Sequence, residues 1–160
     1  MLNVLFLDTG NTTESLIAES VLRACGHGRF RAWSAGCLSG GPASASVLAF
    51  LRERELPLDG LRSKGLHELT RPEGPSFAFV ITLSELAAAA VRERRFSGDP
   101  VIAHWQLDTD EDGSEPSVWA IRDSFWVLSR RIKIFTSLPH GAINKRVLQR
   151  RALTLQPSYL

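Results

Sequence analysis

With 160 residues, 44% of them hydrophobic and 22% charged, the chain has the balance of one globular domain that builds its own core. A formal net charge of +2 is too small to argue for binding nucleic acid or an anionic membrane. Two cysteines, Cys25 and Cys37, cannot make a disulfide scaffold, and no apolar run reaches the ~18 residues of a membrane span.

In chain order, Asn3-Val4-Leu5-Phe6-Leu7 is a continuous apolar run, as expected of a strand buried on both faces. Asp8–Thr13 is turn-rich. Leu16, Ile17, Val21, Leu22 and Cys25 then recur on one helical face, with Thr12 or Thr13 as expected cap and Gly26 and Gly28 as the stop. Arg29–Ala35 reads as a second strand and Ala43–Glu55 as a second helix, ended by Pro57. Leu61–Leu69 reads as loop with a short helical turn. Phe77–Leu83 is a third strand, Ser84–Arg94 a third helix and Val101–Trp105 a fourth strand. An acidic loop over 106–116 precedes a long helix over Ser117–Leu138, closed by Pro139. The basic residues beyond it, Lys145, Arg146, Arg150 and Arg151, read as the solvated face of a short terminal helix.

The β-α alternation predicts an α/β fold: a four-stranded parallel sheet with helices on both faces, in a single domain over residues 1–160. Ligands of such sheets bind beyond the carboxyl ends of the strands. The segment FLDTGNTTES, residues 6–15, is the strongest candidate there. A helix N-terminus follows it, so unpaired N–H groups and the positive end of a helix dipole converge on one loop.

Several segments in register carry a resemblance: NVLFLDTGNTTESLIAESVL, GRFRAWSAG, GLRSK at 60–64, FAFVITLSELAAA, PVIAHWQ and RRIKIFTSLP. Together they resemble the low-molecular-weight protein tyrosine phosphatases and, more closely, the arsenate reductases that share their fold. The resemblance implies a three-layer sandwich and a cytoplasmic, cofactor-free protein. It also implies a reaction in which a cysteine attacks phosphorus or arsenic while an arginine six positions later clamps the oxyanion. Here those two positions are Asp8 and Glu14. Gly10, Asn11 and Ser15 match the loop-shaping residues of the family, so Thr9, Gly10, Asn11, Thr12, Thr13 and Ser15 are the expected ligand-binding loop. The family's general acid falls near Asp108 or Asp110, without the usual aspartate-proline step. The reductases' further cysteine after the third strand aligns with Ser84.

Charge decides what the altered loop holds. Each unit pair at ~4 Å opposes a bound anion by about 1 kcal/mol in water and about 4 kcal/mol at an effective dielectric near 20. A hydrogen bond to a charged group returns about 1.5–3 kcal/mol. Two inward carboxylates therefore cancel the loop's affinity for a dianion. The expected outcome is that Asp8 itself fills the nest of N–H groups. The competing outcome is a Mg²⁺ or Ca²⁺ site made by Asp8, Glu14, Asp108, Asp110 or Asp112, although no calcium-loop spacing is present. The reading is a pseudo-enzyme or binding protein, with no catalytic residue, metal or cofactor expected. The alternative is an Asp8-dependent or metal-assisted phosphohydrolase, and a third reading is an interaction module whose acidic rim meets a basic partner.

LDTGNT also resembles the aspartate loop of haloacid-dehalogenase-like phosphatases, but Gly10 stands where a second aspartate is needed. The phosphate loop of acetate- and sugar-kinase-like ATPases is a further match, but a helix rather than a hairpin follows here. His104 is read as a hydrogen-bonded residue at a strand end, His67 and His140 as surface residues, His27 as a helix-terminus residue and Cys37 as a plain loop cysteine. Trp119 and Trp126 lie one heptad apart on the last helix. A protein partner is left open, as monomer or homodimer, with neither nucleic acid nor membrane expected.

Overall fold

The computed structural model describes residues 1–38, 41–107 and 114–139. The first strand, β1 (Leu2–Asp8), is followed by α1 (Glu14–Cys25), β2 (Phe30–Gly36) and α2 (Ala45–Glu53). A four-residue turn of helix, α3 (Leu66–Leu69), leads to β3 (Phe79–Thr82), α4 (Glu85–Arg92), β4 (Val101–His104) and α5 (Val118–Ser137). The strands form one sheet in the order β2-β1-β3-β4, with every pairing parallel. Every expected strand and helix of the described residues is present, most of them shortened by one or two residues at an end.

Alternation along β1 explains why the sheet is covered twice. Val4 and Phe6 face a core shared with α1, α2 and α5, whereas Leu5 and Leu7 face a second core shared with α3 and α4. All four are fully buried. Phe135 of α5 closes the larger core, its ring centroid 4.9 Å from that of Phe30 in a tilted contact and 5.2 Å from that of Phe79 edge to face. No helix of the described residues is long and apolar enough to cross a membrane.

Three helices begin with a serine cap. Ser44, Ser84 and Ser117 accept N–H bonds from Val47, Ala87 and Ala120 at 3.1–3.2 Å. The other end of α5 is met by Arg29, whose guanidinium donates to the carbonyls of Thr136 and Leu138, a cation where the helix dipole is negative. Helix α1 departs from expectation: Thr13 occupies the cap position but makes no capping bond. Its hydroxyl donates to Glu14 instead.

Candidate functional site: the loop between β1 and α1

The missing cap of α1 is supplied from the end of β1. Asp8 is 5% exposed. One carboxylate oxygen accepts the Asn11 N–H at 2.6 Å and the other the Ser15 N–H at 3.0 Å, the latter from the first turn of α1. The carboxylate thus sits where loop and helix N–H groups converge, so the negative charge that such a site favours is part of the chain.

The loop is held in this shape from several directions. Asn11 adopts φ 55°, a left-handed conformation that asparagine tolerates better than most residues. Its side chain donates to the Ser15 hydroxyl oxygen at 2.7 Å and accepts the Lys64 N–H at 2.9 Å. Ser63 donates to the Gly10 carbonyl, Thr9 donates to Ser84 at 3.0 Å, and Cys37 N–H and Leu38 N–H donate to the carbonyls of Asp8 and Thr9. Segment 60–64 and Ser84 therefore bear directly on the loop. Gly36 is required for the approach, since a Cβ there would lie 2.7 Å from the Gly10 carbonyl carbon.

Burial is the larger influence on Asp8. It pushes the carboxyl up to about 6, against lowering by the Ser15 hydroxyl and the two N–H donors, with the nearby Glu14 charge raising it further. The sequence reasoning weighed the donors and omitted this desolvation. Near neutral pH the group remains mostly ionised. Glu14 is half-buried at the start of α1. Asn11 and Ser15 are fully buried, whereas Thr9, Gly10, Thr12 and Thr13 are half-buried. Asp108, Asp110 and Asp112 lie outside the described residues, as do His140 and the basic stretch beyond it. No group of three or more His, Cys, Asp or Glu side chains suited to a metal ion occurs among the described residues.

The remaining candidates fall where their environment places them. His104 is hydrogen-bonded to Thr82 and Gln106 through its two ring nitrogens, each at 2.7 Å. Cys37 lies on the loop after β2, its sulfur 3.7 Å from the Thr9 carbonyl.

Sequence reasoning missed the group that locks segment 60–64 in place. Glu19, 3% exposed in α1, accepts the Ser34 hydroxyl, pairs with Arg23 at 2.6 Å and lies 3.9 Å from the Lys64 ammonium. Burial lowers the affinity of Lys64 for its proton, and Glu19 opposes that. The four-residue spacing of Glu19 and Arg23 was the only signal in the sequence.

Comparisons place this geometry among known proteins. Residues 3–111 match the family model described as low molecular weight phosphotyrosine protein phosphatase. Among solved structures, an arsenate reductase in its phosphate-binding state aligns with 86% of this chain and 98% of its own at 21% identity and a TM-score of 0.66. The low molecular weight protein tyrosine phosphatase of T. tengcongensis aligns over 86% and 100% at 24% identity and 0.65. An arsenate reductase from Archaeoglobus fulgidus aligns over 84% and 99% at 20% identity and 0.65. At these identities the structural likeness speaks for the fold. No curated protein sequence matches the chain.

Proposed function

Since the chain belongs to the low molecular weight phosphotyrosine protein phosphatase family, we propose that it keeps the family's scaffold as a binding or regulatory relative without the cysteine-based reaction. One observation carries this reading: the Asp8 carboxylate accepts the Asn11 and Ser15 N–H groups that an oxyanion would otherwise engage. A carboxylate at the nucleophile position has no thiolate to attack phosphorus or arsenic, and Glu14 at the clamp position repels the substrate it would have to hold. Both substitutions act in the same direction, against binding as well as against chemistry. Together with the fold of its relatives, this supports a loop whose N–H groups are already engaged by its own side chain.

The test is turnover of p-nitrophenyl phosphate, and thioredoxin-coupled reduction of arsenate, in metal-free buffer between pH 5 and 8. The expected result is no turnover above the buffer rate in either assay. Robust phosphatase activity would overturn the reading. Activity that appears only with Mg²⁺ and vanishes in Asp8→Asn would replace it with an aspartate-dependent phosphohydrolase.

A further inference from the structure

Beside the closed loop lies a cleft of about 260 Å³ lined by none of residues 8–15. Its walls come from the turn after β2, including Cys37 and Leu38, from the segment running into α3, and from Arg94 just beyond α4. The charges around it do not balance. Arg23 and Lys64 share the single carboxylate of Glu19. Arg62 engages Glu68 with both guanidinium nitrogens, at 2.6 and 3.5 Å. Arg94 is exposed and has no carboxylate partner among the described residues. Of the charged groups that line the cleft, Lys64 and Arg94 face the single carboxylate of Glu68, which Arg62 already engages, so the lining carries a net positive charge.

A second feature shapes the wall. A Cβ on Gly65 would lie 2.6 Å from the His67 ring nitrogen Nδ1, so the absence of a side chain at 65 lets the imidazole fold back over the backbone. That ring also lines the cleft, adding a polar group to the side chains that meet there. A guanidinium and an imidazole that line one recess of this size match the head of a small phosphorylated molecule. Leu38 and Leu66 offer apolar contact to its body.

We propose that this cleft binds a phosphate monoester, with Arg94 and His67 holding the phosphate. The inference extends the preceding reading, in which the ancestral anion seat is occupied by Asp8, and moves ligand binding one loop away. Binding there would be felt at residues 8–9 through the Cys37 and Leu38 N–H bonds to their carbonyls.

The probe is phenyl phosphate, titrated at neutral pH into ¹⁵N-labelled protein, with benzoate as the carboxylate control. The expected result is saturable shifts centred on residues 36–38, 64–68 and 94, weakened about tenfold or more in Arg94→Ala and partly recovered in Arg94→Lys. His67→Ala weakens binding as well. Gly65→Ala, which displaces the ring, does the same while leaving both binding side chains in the chain. The absence of saturable shifts would overturn the cleft and leave the proposed function standing. Equal binding of benzoate, or an unchanged affinity in Arg94→Ala, would also overturn it. Shifts confined to residues 9–15 would overturn both, because the loop would then accept the anion that its own carboxylates are held to exclude.

Discussion

Asp8 holds a proton more tightly in the folded chain than in the unfolded one, because its carboxyl is raised from 3.8 to about 6. Its contribution to stability is therefore fully present below about pH 4 and is lost as the pH rises through 6. The size of that loss is about 3 kcal/mol for a shift of this magnitude. Chemical denaturation at pH 4, 5, 6 and 7 should show it, and Asp8→Asn should remove that component of the pH dependence. A flat difference between wild type and variant across this range would contradict the assignment. A separate residue-scale prediction concerns Glu19. Glu19→Ala removes the carboxylate 3.9 Å from the buried Lys64 ammonium, and should cost about 3 kcal/mol in denaturant unfolding. Asp8 and Glu14 were singled out in the sequence by their place between an apolar strand and a helix, six positions apart as in the motif that the resemblance implies. The Glu19 cluster was not, because Ser34 and Lys64 reach Glu19 only through the pairing of β2 and the return of segment 60–64.

At the scale of elements, β1 and β3 were read well because each is an apolar run, and β1 shows the reason in its alternation between two cores. Helix starts were read well where a serine stands at the cap, as at Ser84 and Ser117. The start of α1 falls after Thr13 as expected, but its capping bond comes from Asp8, seven residues before the N–H it serves, and only the fold of the loop brings the two together. Two consequences separate these cases. Ser84→Ala should cost about 1 kcal/mol through loss of the α4 cap, and more if the Thr9 bond matters to the loop. Phe135→Ala, at the centre of the aromatic cluster on α5, should cost about 3–5 kcal/mol. The heptad spacing of Trp119 and Trp126 was also correctly placed on one side of α5. Both are exposed, at 73% and 64%, with Arg122 and Arg130 set over their rings.

For the molecule as a whole, the family's fold is present with Asp8 and Glu14 on its first loop, and the proposed reading is that it serves without the cysteine-based reaction. The sheet order, the left-handed Asn11 and the closing contacts from Ser63 and Lys64 hold the strand-loop-helix that the family motif anticipates. The double variant Asp8→Cys with Glu14→Arg should therefore gain measurable p-nitrophenyl phosphate hydrolysis. Either change alone should not, since a thiolate without a clamp and a clamp without a nucleophile each leave the reaction incomplete. The acid after β4 lies beyond what the described residues place, so turnover in the double variant would also report whether an aspartate there still serves.

The most direct measurement is a crystal structure of the wild-type protein grown at neutral pH in the presence of arsenate. The account predicts that the Asp8 oxygens remain 2.6 and 3.0 Å from the Asn11 and Ser15 nitrogens, with no tetrahedral anion above residues 9–15. Arsenate seated on those N–H groups, with the Asp8 carboxylate turned away from them, would contradict it.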